Sequence, residues 1–335
     1  MGQLRQITLA VRVTRLAPSP TGALHLGNAR TFVLNWLLAR RRGWRVVLRI
    51  EDLDGPRTKR GADRGLIKDL QWLGLDWDDG PVYQSARGGL YRRAIEKLID
   101  DRFAYACVCT RKEVESAASA PHAEDGAAVY PGTCRARYKS LTEAQAASGR
   151  PPAVRVRVPD GPAGVVAWDD GFRGRQEIDA ARQLGDFVIA KADGTPAYQL
   201  AVVVDDADMG VTDVVRGDDL VESTPRQVLL YRALGLSDRI PRYTHLPLVV
   251  GADRRRLAKR HGDTRLSWYR ERGVAPERIL ALLARWSGIQ LQARSADGIG
   301  ARELLEAFQL DRLPAEPAVF TADDDRWLLE AGRSQ

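Results

Sequence analysis

The fold class this 335-residue sequence predicts is an α/β domain on a parallel sheet, broken by an insertion and ending in a short helical segment. Three observations carry it. From residue 11 to about 104, apolar strand-like runs alternate with helix-spaced runs, the rhythm of βαβ units. Over 105–185 that rhythm breaks, and all three cysteines fall there. It resumes over 186–265 and gives way to a helical pattern over 266–335. At 44% apolar residues, the chain can bury a substantial core.

In order along the chain, Val11–Leu16 reads as a short buried strand and Val46–Ile50 as a second. Between them Ala29, Phe32, Val33, Trp36 and Leu37 recur at three and four, which predicts a helix over Asn28–Arg42. Arg40, Arg41 and Arg42 suit the negative end of its dipole, and Gly43 ends it. Leu66, Ile67, Leu70 and Leu73 mark a helix stopped by Gly74, and Leu90 to Ile99 mark another. Ser116–Val129 is small, polar and loop-like. Val154–Val158 alternates with arginines, as a half-exposed strand does. Phe187–Ala190 and Asp213–Arg216 are further strands. Pro276, Ile279, Leu280, Leu283 and Trp286 spell a helix with proline in its first turn and Gly288 beyond its end. After Pro314 no pattern is readable.

The net charge of +7 favours an anionic partner such as nucleic acid. No run of about 18 uncharged apolar residues is present, and arginines interrupt the first fifteen positions. The start Met-Gly lacks Ser or Thr at position 6, so myristoylation is not expected. A cytoplasmic monomer without a membrane partner is the expectation. An odd number of cysteines argues against a disulfide framework.

Three stretches offer chemistry. The first, APSPTGALHLGNAR over residues 17–30, joins the end of the first strand to a helix N-terminus, where unpaired N–H groups and the dipole favour phosphate. Pro18 and Pro20 stiffen the turn, Gly22 and Gly27 bare the backbone, and His25 can donate to a growing phosphate charge. The Walker pattern is absent. The second, LRIEDLD over 48–54, puts acids at the end of the second strand, suited to an ammonium group or to magnesium. The third, DRRRLAKRHGD over 253–263, is a basic loop that can clamp a polyphosphate.

The order of these stretches resembles the class I aminoacyl-tRNA synthetases, and within them the glutamyl branch. Pro18-Ser19-Pro20-Thr21-Gly22 followed by His25-Leu26-Gly27-Asn28 is similar to the family's HIGH signature, and Arg254–Arg260 stands where its KMSKS loop belongs. Arg49-Ile50-Glu51-Asp52 and VVDDADMGVTDVVRGDDL over 203–220 resemble the glutamyl branch in particular. The resemblance implies a Rossmann-like sheet, Mg-ATP and L-glutamate as substrates, and a glutamyl-adenylate. His25, Asn28 and Lys259 are its implied catalytic residues, with Pro18, Gly22 and Gly27 also at ATP. Arg15, Ala17, Ser19, Glu51, Tyr198 and Arg216 match the glutamate pocket. Glutamate has two carboxylates and one ammonium, so two arginine forks and one acid suit it. Two departures stand out. Asn28 replaces the second histidine of HIGH, and the loop reads Arg256-Leu257-Ala258-Lys259-Arg260, keeping one central lysine.

Cys107, Cys109 and Cys134 cluster in a chain without a disulfide framework, which points to zinc. Chemistry alone favours His122 as fourth ligand, since imidazole is the commoner donor. The resemblance points to Tyr130, because short relatives of the glutamyl enzymes hold a structural zinc with tyrosine there. A full glutamyl synthetase continues after its KMSKS loop into anticodon-gripping helical domains, and too few residues follow Arg260 for those. The expectation is therefore a short paralog that loads glutamate onto the queuosine base at the wobble position of tRNA(Asp). A minimal enzyme charging the 3′ end of tRNA is the alternative, and a non-catalytic nucleotide- or RNA-binding paralog is a further one.

Overall fold

The computed structural model describes residues 11–53, 61–117, 129–257, 262–290 and 299–330. Its elements run, in order, β1 (Val13–Leu16), α1 (Leu26–Arg41), β2 (Arg45–Ile50), α2 (Ala62–Trp72), β3 (Asp79–Tyr83), α3 (Gly88–Asp100), β4 (Ala104–Cys107) and α4 (Arg111–Ala117). Then come α5 (Leu141–Ser148), β5 (Ala153–Val156), β6 (Val165–Asp170), β7 (Gly174–Asp179), α6 (Ala180–Gln183), β8 (Val188–Ala190), α7 (Tyr198–Asp208) and β9 (Asp213–Gly217). The last are α8 (Ser223–Ala233), β10 (Arg242–Leu246), β11 (Val249–Val250), α9 (Leu266–Arg270), α10 (Pro276–Trp286), α11 (Ala301–Ala307), β12 (Ala318–Val319) and α12 (Ala322–Glu330). They divide into two compact units. One takes Met1–Val82, Val211–Asp218 and Thr244–Gln335, and the other takes Tyr83–Gly210 and Asp219–Tyr243.

The first unit is the α/β body with a parallel sheet. β1 and β2 pair in parallel, Val13 opposite Arg45 through Leu16 opposite Leu48, and β2 lies between β1 and β3. All of β1 and all of β2 after Arg45 is buried, as a sheet covered on both faces requires. α1 is the crossover between them. It is pinned by Asn35, whose amide donates to the Arg15 carbonyl at 3.0 Å and accepts from Thr14 Oγ1 at 3.1 Å. Val11 is exposed, so the strand begins two residues later than its apolar run. The helix begins at Leu26, before Asn28, because His25 caps it.

The last third of the chain closes over this body. Pro276 opens α10 in its first turn, and Gly288 beyond its end has φ of 65°. Arg30 of α1 is buried and donates to Ser287 Oγ (3.0 Å), the Pro247 carbonyl (2.6 Å) and the Trp286 carbonyl (3.3 Å). A guanidinium thus sits at the negative end of α10, where a cation is favoured. Beyond Pro314, where sequence has no readable pattern, β12 pairs in parallel with β11, and Ala318 N donates to the Leu248 carbonyl at 3.0 Å.

The second unit is built on the antiparallel β4–β5–β8 sheet and the β6–β7 hairpin, with α3, α7 and α8. Buried Asp205 of α7 accepts from Gln84 Nε2 (2.7 Å), Arg87 Nε (2.6 Å) and the Tyr91 hydroxyl (2.9 Å). The first acid of the DDAD run therefore ties α7 to α3. The segment read as a loop from Ser116 begins inside α4. A capping box starts this helix: Thr110 Oγ1 accepts from Glu113 N at 3.2 Å, and Glu113 Oε2 accepts from Thr110 N at 2.6 Å. Among the described residues, no helix is long and apolar enough to cross a membrane.

Candidate active site and metal centre

The loop from Ala17 to His25 leaves the carboxyl end of β1 and delivers the chain to α1. Its backbone is tied to the neighbouring strand end, since Glu51 N donates to the Pro18 carbonyl at 3.0 Å. His25 is the N-cap. Its Nδ1 accepts from Gly27 N (3.1 Å) and Asn28 N (3.4 Å), while Asn28 Oδ1 accepts from His25 N at 2.8 Å. This reciprocal cap fixes both side chains. An Nδ1 that accepts carries no proton, so a neutral His25 holds its proton on Nε2 and is a donor there. Burial lowers its pKa to about 4, with the Arg256 charge adding to the effect. The amide of Asn28 takes a structural part that a phosphate-binding reading alone did not assign: its oxygen is committed to the cap.

The two glycines differ. A Cβ at Gly27 would stand 3.1 Å from both Cε1 and Nδ1 of His25, so the bare backbone makes room for the imidazole. A Cβ at Gly22 would meet nothing within 4 Å, so the backbone there faces open space. Ser19 is exposed and donates from Oγ to Thr21 Oγ1 at 3.3 Å.

Arg15, Glu51 and Arg216 all belong to the first unit. Arg15 is buried on β1, and its Nη1 reaches the Val215 carbonyl of β9 at 3.5 Å. Glu51 accepts from Nη2 of Arg49 at 3.0 Å, and the Arg49 side chain is 0% exposed. Arg216, buried on β9, donates from Nε to Nε2 of His245 at 3.0 Å. His245 is 0% exposed and turns the Arg216 guanidinium by accepting one of its protons. Sequence reasoning missed His245. A lone histidine in an apolar run such as HLPLVV gives no signal of what faces it. Tyr198 opens α7 in the second unit and is 39% exposed.

The basic loop turns tightly at its start. Gly251 N donates to the Arg255 carbonyl at 2.8 Å, Val250 and Arg256 form an antiparallel bridge, and Arg254 adopts φ of 60°. The Leu257 Cδ1 atom would lie 3.6 Å from a Cβ on Gly27, so this loop approaches the His25 cap. Lys259 lies outside the described residues, as do Ala258, Arg260 and Asp54.

In the second unit, Cys107, Cys109 and Cys134 converge, with all their sulfur atoms within 4.8 Å of one another. They could hold a metal ion. Cys109 and Cys134 sulfurs are 3.5 Å apart, and the Tyr130 hydroxyl lies 3.4 Å from Cys107 Sγ and 3.5 Å from Cys109 Sγ. A tetrahedral zinc with bonds of ~2.3 Å to sulfur and ~2.0 Å to oxygen requires S···S edges of ~3.8 Å and S···O edges of ~3.5 Å. The Cys109–Cys134 separation and the two distances from the Tyr130 hydroxyl lie within about 0.3 Å of those edges. Gly185, with φ of 62°, bridges Tyr130, and a Cβ there would strike Val129 at 2.6 Å. Burial pushes the Cys109 thiol up to about 11 and raises the Tyr130 phenol, whereas hydrogen bonds from the Val108 backbone and its neighbours hold the Cys134 thiol below its ordinary value. His122 lies outside the described residues.

Comparison with known proteins follows the same lines. The family described as tRNA synthetases class I (E and Q), catalytic domain, matches residues 11–327. The chain is 46% identical over 319 residues to a protein of Symbiobacterium thermophilum named glutamyl-Q tRNA(Asp) synthetase, covering 92% of this chain and 96% of that one. A protein of the same name from Rhodopirellula baltica is 46% identical over 327 residues, with the same coverage. The glutamate–tRNA ligase of Geobacter sulfurreducens is 43% identical over 316 residues, and the match spans only 64% of its length. A crystal structure of a glutamate tRNA ligase from Elizabethkingia meningosepticum, in complex with its amino acid, superposes with a TM-score of 0.77 at 28% identity, covering 95% of this chain and 68% of that one.

Proposed function

The chain belongs to the class I glutamyl and glutaminyl tRNA synthetase family, and from that premise we propose that it activates glutamate with Mg-ATP and transfers it to queuosine in tRNA(Asp). The observation that carries this reading is the 46% identity along 96% of the length of two relatives that bear that name. In the first step a glutamate carboxylate oxygen attacks the α-phosphorus of ATP in line, and pyrophosphate leaves. In the second a hydroxyl of the queuosine cyclopentene ring attacks the adenylate carbonyl, forming an ester and releasing AMP.

The chain's own residues have roles that suit these steps. Nε2–H of neutral His25 donates to an ATP phosphate without adding charge, and Asn28 holds the cap that aims it. Pro18, Gly22 and Gly27 shape the backbone beside the nucleotide. Lys259 stabilises negative charge on the pyrophosphate side. Arg15 and Arg216 take the two carboxylates, Glu51 takes the ammonium, and Ala17 and Ser19 complete the pocket wall. Magnesium accompanies ATP. Cys107, Cys109, Cys134 and Tyr130 hold a structural zinc, supported by the S···O distances of 3.4 and 3.5 Å.

The test is charging with labelled glutamate. Purified tRNA(Glu), tRNA(Asp) with queuosine and tRNA(Asp) lacking it are offered separately, and the labelled nucleotide is located by nuclease digestion. Label confined to the anticodon fragment of queuosine-bearing tRNA(Asp) is the expected result. Label at the 3′ end of tRNA(Glu) would instead make this chain a minimal glutamate–tRNA ligase, the reading favoured by the 43% identity to the Geobacter enzyme.

A further inference from the structure

Beside the sulfur cluster stands a cation that the zinc-binding reading leaves without a part. Arg155 lies on β5, in the run where apolar residues alternate with arginines. The register of β4 against β5 sets Cys107 opposite Ala153 and Tyr105 opposite Arg155. Cys107 and Arg155 are therefore diagonal neighbours on one face of the sheet, a separation that a long side chain spans. Arg155 uses that reach. Its Nε donates to Cys107 Sγ at 3.2 Å, and its guanidinium carbon lies 3.9 Å from the centroid of the Tyr130 ring. Its Nη1 donates to the Asp186 carbonyl at 3.0 Å, which fixes the fork in place.

The backbone shows an independent sign of the same placement. The pairing of β5 with β8 shifts register between Val154 and Arg155. Such an irregularity bends the strand and re-aims a side chain, and it is common beside functional sites. Asp186, at the anchoring end of the fork, is itself held. Its carboxylate accepts from the Tyr105 hydroxyl at 2.5 Å and from Val158 N at 2.8 Å. One side chain thus touches a sulfur donor and the aromatic donor at once, from a rigid seat.

We infer that Arg155 is the outer-sphere residue of the metal centre, offsetting the excess negative charge of three thiolates and setting metal affinity through its bond to Cys107 and its place over Tyr130. This rests on the zinc-binding reading. A divalent ion among three thiolates and a phenol oxygen carries net negative charge in a half-buried setting, and a guanidinium against both donor types offsets it. An arginine suits the position better than a lysine, because the fork reaches sulfur and carbonyl together.

The experiment titrates zinc against a chromophoric chelator for the wild type, R155Q, R155K and R157Q, and records the thiolate-to-metal charge-transfer bands of the cobalt(II)-loaded proteins. R155Q is expected to bind zinc about 10- to 100-fold more weakly, with R155K in between and shifted cobalt bands in both. R157Q serves as the neighbouring-arginine control, since Arg157 lies over Tyr105 rather than on a sulfur, and it should stay within about twofold of wild type. R155Q within twofold of wild type, with unchanged cobalt bands, overturns the inference alone. Should R155Q fail to fold, R155K decides, and its equality with wild type overturns it equally. A wild-type protein that binds no zinc overturns the metal reading and this inference together.

Discussion

At the scale of single residues, the N-cap of α1 makes a definite statement about one proton. His25 accepts two backbone N–H groups through Nδ1, which only the neutral ring can do. Its folded pKa of about 4 lies below the ordinary histidine value of 6.5. Between those values the unfolded chain binds the extra proton and the folded chain does not, so stability is retained above pH 6.5 and lost as pH falls toward 4. His25→Asn keeps a cap acceptor and removes the titration. Relative to that variant, the wild type should lose about 2 kcal/mol between pH 7 and pH 5, measured by denaturant unfolding at each pH. A difference that stays flat across that range would show that His25 titrates as an ordinary exposed histidine. The sequence suggested His25 as a donor to phosphate, but it could not show that Asn28 and His25 hold one another. That pairing depends on the rotamers of both residues across a helix start.

Elements were legible where periodicity and punctuation agreed. The helix beginning at Pro276 and ending at Trp286 was readable because proline and glycine bracket an apolar stripe. The βαβ unit was readable because buried parallel strands leave continuous apolar runs. Arg155 was not. Alternation with arginine is the pattern of a solvated strand face, and only the register against β4 shows that this face meets a sulfur cluster. α4 hid behind its composition, and the capping box at Thr110 and Glu113 was the missed signal. The start of α1 yields a prediction in which stability and activity separate. Gly27→Ala adds a good helix former, so stability should hold within about 1 kcal/mol. Its Cβ, 3.1 Å from the His25 ring, makes the imidazole give way by a few tenths of an ångström. Glutamate-dependent ATP–pyrophosphate exchange, assayed with tRNA present, should fall about tenfold or more, because a misplaced donor no longer meets the phosphate. Undiminished exchange would remove His25 from the ATP site.

Over the whole molecule, 51 Lys and Arg residues stand against 44 Asp and Glu, and the excess belongs to no single run. Several arginines are absorbed by structure: Arg30 holds α1 to the end of α10, Arg49 pairs with Glu51, and Arg87 bridges Asp205 and Asp208. The arginines of the Asp253–Arg256 turn remain exposed. Exposed positive charge acts on a polyanion by releasing its counterions, whereas a small substrate in a pocket gains little from it. The two substrates should therefore respond differently to salt. Between 50 and 200 mM NaCl the tRNA KM should rise by at least about tenfold, the response to roughly three neutralised phosphates. On the proposed pocket of buried Arg15 and Arg216, the glutamate KM should move by less than about twofold. Initial charging rates at four salt concentrations, each with one substrate saturating, separate the two effects. If both KM values climbed together, the salt would be acting on the fold or on ATP. If neither moved, the basic surface would not be gripping RNA, and recognition would rest on contacts within the site.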